Sequence, residues 1–80
     1  MHELGVLYQA LKRVHTIAQQ HNITQVRHIT LEVGETSGYV PFFFQKLFPA
    51  AADSFPELQN AKLLIETVAG SGLQIKNIGY

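Results

Sequence analysis

The residues best suited to chemistry in this chain are the first three, Met1, His2 and Glu3. A histidine directly after the initiator methionine brings an α-amine, backbone amide nitrogens and an imidazole within chelating reach of one another. Such a compact set of nitrogens is one that square-planar Ni(II) or Cu(II) accepts. Taken alone the signal is weak, because a histidine at the second position is commonly only a solvated terminal residue. The rest of the chain has to decide between these two interpretations.

No other group of residues has the pattern of a catalytic site. The three serines lie in turn-like contexts, where serine is favoured for local backbone hydrogen bonds, and the carboxylates are scattered along the chain. The glycines of segment 34–38 lack the Lys-Ser/Thr ending of a phosphate-binding loop. His15 and His28 are not spaced as a ligand pair, and His21 is explained by its place at a helix end. We therefore expect a protein that is not an enzyme.

Composition narrows the class of protein further. Eighty residues, 46% of them hydrophobic, make one globular domain with a small core, and six basic residues balance six acidic ones. A net charge of zero without a basic stripe argues against nucleic acid as a partner. The first segment has charged residues inside its apolar pattern, so we expect neither a signal peptide nor membrane association, and cytoplasmic residence is the default. The absence of cysteine excludes disulfides and the common structural zinc sites.

Hydrophobic periodicity predicts two helices and three strands. The predicted helices are 4–21, with apolar residues at steps of three and four, and a second one that begins at Pro41. The predicted strands are 26–33, 62–68 and 73–78. Asn22 is expected to end the first helix in a left-handed conformation, and Pro49 to bend or restart the second helix near residue 48.

The same periodicity predicts which side chains form the core. On the first strand these are Ile29, Leu31 and Val33. The two helical stripes are Leu4, Leu7, Tyr8, Leu11, Val14, Ile17 and Ala18 in the first helix, and Val40, Phe44, Leu47, Phe48 and Ala51 in the second. Phe42 and Phe43 fall beside or outside the second stripe, where a partner or dimer surface competes with burial in the core.

The order α-β-α-β-β predicts an α+β two-layer fold, with two helices on one face of a three-stranded mixed sheet. If the first two strands are neighbours, the helical crossover makes them parallel. The short stretch Ala69-Gly70-Ser71-Gly72 is expected to close an antiparallel hairpin between the last two strands.

The predicted helix start strengthens the metal interpretation of the first residues. The first N–H groups of a helix have no intrahelical acceptor, so the amides of His2 and Glu3 are free to bind a metal once deprotonated. The Met1 amine, the His2 amide and the His2 imidazole then form adjacent chelate rings. A fourth in-plane position remains for the Glu3 amide or for a ligand from elsewhere. Affinity should fall at low pH, because each ligand must lose a proton to bind.

Several segments in order resemble the HypA/HybF family of nickel-incorporation proteins. They are Met1-His2-Glu3-Leu4 at the start of a helix, the strand and turn 29–38, Val40-Pro41, and the closing strand 73–78. The resemblance implies a metallochaperone that delivers Ni(II) to the [NiFe]-hydrogenase large subunit, and in some organisms to urease, together with a HypB-type GTPase. It also implies that Met1, His2 and Glu3 hold the nickel.

The chain departs from that family in two places. HypA proteins carry a zinc domain with two CxxC pairs between the last two strands, whereas only Ala69-Gly70-Ser71-Gly72 stands here. We therefore expect residues 1–80 to form a single nickel-binding domain without zinc, the zinc domain being absent between residues 69 and 73. Val40 and Phe42 replace residues that are acidic in many family members, so no accessory carboxylate is expected beside Pro41.

A second function is compatible with the same sequence. The chain could be a protein-interaction module that docks a GTPase or forms a homodimer, without significant metal binding in this shortened form. Phe42, Phe43 and the uncovered sheet face would then be its contacts.

Overall fold

The computed structural model describes residues 2–80, and Met1 lies outside them. The elements in chain order are α1 (Glu3–Gln20), β1 (His28–Gly34), α2 (Pro41–Ala52), a short 3₁₀ helix (Pro56–Leu58), β2 (Lys62–Val68) and β3 (Leu73–Gly79). The predicted α+β fold of two helices and a three-stranded mixed sheet is confirmed. The 3₁₀ helix lies between α2 and β2.

The sheet has the strand order β2-β1-β3. Strand β1 pairs with β2 in parallel and with β3 in antiparallel orientation. The mixed character of the sheet and the parallel first pair are therefore as predicted. The hairpin is wrong, because β2 and β3 lie on opposite sides of β1 and do not pair with each other.

The link between β2 and β3 crosses the end of β1 instead of turning back beside β2. Gly34 donates its N–H to the Gly72 carbonyl at 2.7 Å, and Glu35 donates to the Val68 carbonyl at 2.7 Å. A Cβ on Gly34 would collide with the Gly70 backbone, and Gly70 itself has a φ of 96°. Four residues at about 3.3 Å each can span two strand spacings of about 4.8 Å, so a short glycine-rich link serves this crossing as well as a hairpin.

Strand β3 contains a β-bulge. Thr30 pairs with Asn77 and Leu31 with Ile75, so Lys76 is the extra residue on β3. The bulge keeps Ile75 and Ile78 both half-buried although they are three residues apart. Without it, simple alternation would turn one of them away from the core.

The core lies between the helices and one face of the sheet. Ile29, Leu31 and Val33 are at most 1% exposed, which confirms the prediction for β1. The buried stripe of α1 is narrower than predicted, because Leu4 is 49% exposed and Tyr8 37% exposed. The residues of α1 that are fully buried and hydrophobic are Leu7, Leu11, Val14 and Ala18.

The sequence correctly predicted the residue that ends α1 and the residue that begins α2, but not the course of α2 at Pro49. Asn22 has a φ of 56°, as expected for a left-handed terminator after α1. Pro41 occupies the first turn of α2, and Phe44 and Phe48 are buried, whereas Val40 is 38% exposed. The restart expected near residue 48 does not occur, since α2 continues through Pro49 to Ala52. Pro49 has no N–H and therefore removes one helical hydrogen bond. Only three helical residues follow it, so this loss falls near the end of the helix.

Candidate metal centre

His2 immediately precedes α1 and its side chain is exposed. Its carbonyl accepts the N–H of Val6 at 3.0 Å, which is the first hydrogen bond of the helix. Its imidazole makes no capping hydrogen bond to the helix start. The N–H groups of His2 and Glu3 stand before the first helical hydrogen bond and have no intrahelical acceptor. Imidazole and amide nitrogens are therefore available together at this end of α1.

Glu3 has a side chain that points away from solvent, and only 4% of the residue is exposed. One of its carboxylate oxygens, Oε2, accepts the N–H of Val40 at 3.1 Å. Because Val40 precedes Pro41 at the start of α2, the carboxylate lies near the beginning of both helices, where the helix dipole favours negative charge. The main-chain nitrogen of Glu3 has no acceptor within the helix, and the sequence did not reveal the contact of its carboxylate with Val40.

Side chains alone do not build a metal site in the part of the chain that the structure describes. No group of three or more His, Cys, Asp or Glu residues lies close enough together within residues 2–80 to hold a metal ion. His21 follows the last residue of α1, and the ring of His28 packs over Gly79. A four-coordinate metal site that uses His2 would therefore take at least two of its ligands from outside this set of side chains, for example from main-chain nitrogens or from another molecule.

His15 is held in a contact that the sequence gave no means of finding. Its Nδ1 lies 2.6 Å from Oε1 of Glu57, which belongs to the 3₁₀ helix and is 42 residues away in the chain. The ring of Phe55 covers the His15 ring at 5.2 Å between centroids, and Tyr8 stacks on the same Phe55 at 5.4 Å. This arrangement ties α1 to the 3₁₀ helix and engages the imidazole of His15.

A group of large apolar side chains near the start of both helices is exposed. Phe42 is 65% exposed and Phe43 is 44% exposed, which agrees with their predicted position outside the buried stripe. Their rings pack on each other at 6.2 Å, and the Lys46 ammonium lies 6.0 Å from the centroid of Phe42. Leu4 and Val40 are also exposed in these first turns.

Within residues 2–80, no helix is both long enough and apolar enough to cross a membrane.

The fold defined by these elements matches that of a solved metallochaperone. The solution structure of the Ni metallochaperone HypA from Helicobacter pylori superposes with a TM-score of 0.78, covering 96% of this chain and 72% of that one at 18% identity. At this identity the match establishes a shared fold.

Sequence comparison establishes the family. The family model described as "Hydrogenase/urease nickel incorporation, metallochaperone, hypA" matches residues 1–74. Hydrogenase maturation factor HypA from Methanosarcina mazei is 32% identical over 68 residues, which cover 85% of this chain and 49% of that protein. The factor of the same name from Deinococcus radiodurans is 32% identical over 72 residues, covering 90% and 59%. The chain belongs to the HypA family, and it spans about half the length of the curated relatives it matches.

Proposed function

We propose that this chain is the nickel-carrying domain of a metallochaperone, and that it binds Ni(II) as cargo through Met1, His2 and Glu3. The observation that carries the proposal is the exposed His2 imidazole beside main-chain N–H groups that have no helical acceptor. Membership of a nickel-incorporation family supports the choice of metal. Three or four nitrogens in adjacent chelate rings suit the planar geometry of a d⁸ ion.

The contact of Glu3 with Val40 supports this choice of ligands. Because the carboxylate of Glu3 is buried against the start of α2, the main chain at this position is held in place. A metal that binds the Glu3 nitrogen would not have to break that hydrogen bond. Nickel affinity falls with decreasing pH, because the amine, the amides and the imidazole must all lose a proton before they bind.

The relatives suggest where the nickel goes. We propose delivery to the large subunit of a [NiFe]-hydrogenase, or to urease, with a HypB-type GTPase as partner and the cytoplasm as location. In this role the domain binds and transfers a metal and is not an enzyme. Without cysteine the chain has none of the thiolate ligands of a structural zinc site, so we propose that it works without zinc and that the short link 69–72 stands where a zinc domain would be inserted.

The proposal is tested by titrating Ni(II) into protein that has a free amine at Met1 and no tag. We expect a visible d–d absorption band of a planar site that saturates near one equivalent. His2→Ala, or acetylation of the α-amine of Met1, should abolish the band, because each removes one nitrogen ligand of the chelate. His21→Ala is the matched control, since it removes an exposed imidazole at the other end of α1 and should leave the band unchanged. Undiminished binding by the acetylated protein would exclude the amino-terminal chelate.

The exposed Phe42 and Phe43 favour a second candidate function, a docking module for the GTPase or for another copy of the chain. Light scattering on the wild type and on Phe43→Ser tests the self-association. A dimer that dissociates in the variant supports it, and a monomer in both cases excludes it.

A further inference from the structure

An open cleft of about 400 Å³ lies at the end of the sheet where β1 and β2 begin. Its lining consists of Gln25, Arg27, His28, Asn60, Lys62 and Leu64. Five of these six side chains carry N–H donors, and none is a carboxylate. Two of the six lysine and arginine residues of a chain with zero net charge are thus brought to one cleft.

The carboxylates on the elements that form the cleft are engaged elsewhere. Glu66 on β2 binds Lys76, and Glu32 on β1 accepts a hydrogen bond from Gln74. Glu66 lies four residues beyond Lys62 and Glu32 four residues beyond His28, a distance of about 13 Å along each strand. Glu57 of the 3₁₀ helix is paired with His15. The ion pairs found within residues 2–80 include neither Arg27 nor Lys62.

The backbone holds the cationic residues of the cleft in position. Lys62 donates its N–H to the Arg27 carbonyl at 3.0 Å, and Arg27 donates its own to the Gly79 carbonyl at 2.7 Å. His28 is the register partner of Lys62 in the parallel pair, so their side chains emerge side by side about 4.8 Å apart. The His28 ring occupies the space that a side chain at Gly79 would need, which fixes it against β3.

We propose that this cleft is a binding site for an oxyanion, a carboxylate or phosphate group carried by a ligand or a partner. Arg27 and Lys62 both line the cleft, and Arg and Lys bind carboxylate and phosphate through charge-assisted hydrogen bonds. Leu64, 48% exposed, adds an apolar wall for the hydrocarbon part of such a ligand. The site is separate from the amino-terminal nickel ligands and does not depend on them.

The experiment is a titration followed by ¹H–¹⁵N NMR at constant ionic strength, with sodium chloride as the balancing salt. One arm uses inorganic phosphate and the other a tri-glutamate peptide with blocked ends. We expect saturable shifts of the amides of Arg27, His28 and Lys62, with dissociation constants in the low millimolar range. The arm with the tighter binding distinguishes a phosphate-bearing ligand from an acidic protein segment.

Matched variants distinguish binding in the cleft from a nonspecific attraction of anions to the positive charges of the protein. Lys62→Gln and Arg27→Gln remove one charge each from exposed side chains and should weaken binding about tenfold. Lys12→Gln removes one charge from the exposed side of α1 and should leave binding unchanged. His2→Ala should also bind the anions normally, so a failed nickel site would not affect the result. Shifts that do not saturate in either arm, or an equal loss in Lys12→Gln, would overturn the proposal.

Discussion

Two nearly buried carboxylates tie helix α1 to distant parts of the chain, and they do so in different ways. Glu3 is 4% exposed and lies on α1, where it accepts a main-chain N–H from Val40, 37 residues away. Glu57 is 8% exposed and lies on the 3₁₀ helix, where it binds the imidazole of His15. One contact uses a backbone amide of the partner segment and the other uses a side chain.

The difference bears on which histidine is left for metal chemistry. The contact of Glu3 holds the first turn of α1 without using an imidazole, so His2, one residue before it, remains exposed. The contact of Glu57 occupies Nδ1 of His15 and lies beside the ring of Phe55. Helix α1 therefore has His15, which is used in packing, in its second half, and it is preceded by His2, whose side chain is exposed.

Removing the contact of Glu57 with His15 should have the largest effect on stability. A carboxylate accepts hydrogen bonds, so Nδ1–H of His15 is the donor, and Glu57→Ala leaves this part-buried donor without its partner. We expect a loss of about 1–3 kcal/mol in the free energy of unfolding, measured by urea denaturation.

Glu57→Gln is the control for this prediction. The amide oxygen of glutamine can still accept the hydrogen bond, so its loss should be clearly smaller than that of Glu57→Ala. Equal losses in both variants would mean that the charge of Glu57, and not the hydrogen bond, stabilises the contact. Nickel binding should be unchanged in both, since neither alters His2.

Removing the contact of Glu3 with Val40 should have a smaller effect on stability. Glu3→Ala leaves the N–H of Val40 without its acceptor, but this amide lies at a helix start next to exposed residues, where water can replace the carboxylate. We expect a loss of about 1 kcal/mol in the free energy of unfolding. The planar nickel band should persist, because the main-chain nitrogen of residue 3 is still present.

The matched variant for Glu3→Ala is His2→Ala, which is expected to affect nickel binding and not stability. It should lose the nickel band and keep the unfolding free energy of the wild type, since the His2 side chain is exposed and makes no capping bond. If Glu3→Ala loses the band while it remains folded, the carboxylate itself is needed for nickel, and its role is not limited to holding α1 against the start of α2.

Local patterns predicted the elements of this fold but not the strand order. Apolar steps of three and four identified α1, alternation identified β1, and Asn22 and Pro41 marked helix boundaries correctly. The predicted hairpin between β2 and β3 was wrong because Gly70 and its neighbours fit a tight turn and a crossing over β1 equally well. The pairing of β3 with β1 distinguishes the two. The contact of Gly34 with Gly72 beside it joins residues 38 positions apart, so spacing along the chain does not reveal it.

In the candidate site, too, local features could be predicted from the sequence and contacts between distant residues could not. His2 could be proposed as a metal ligand from the sequence, because its potential partner ligands are its neighbours in the chain. The contact of Glu3 with Val40 and the pairing of His15 with Glu57 could not, because nothing in their spacing indicates that they meet. The oxyanion cleft was also missed, since Arg27 and Lys62 become neighbours only through the parallel pairing of β1 with β2.

The exposed ion pair on the open face of the sheet completes the series with the smallest expected effect. The Lys76 ammonium lies 2.8 Å from Oε1 of Glu66, and the two side chains are 45% and 48% exposed. The hydrogen bond to Glu66 and its negative charge raise the pKa of Lys76 above the ordinary lysine value of 10.5. Surface pairs of this kind add little to stability, because solvent and salt screen them.

Lys76→Met tests this last contact through its dependence on pH. A raised lysine pKa means that the contribution is fully present below pH 10.5 and is lost as the pH rises through the pKa of the folded state. The small difference in urea midpoint between wild type and variant should therefore be the same at pH 7 and pH 9 and should shrink at pH 11. It should also shrink in 1 M sodium chloride. Lys12→Met, which removes an exposed lysine from α1, corrects for the general loss of one positive charge. A Lys76→Met difference that exceeds that of Glu3→Ala would show that an exposed side-chain pair stabilises this fold more than a buried carboxylate bound to the backbone.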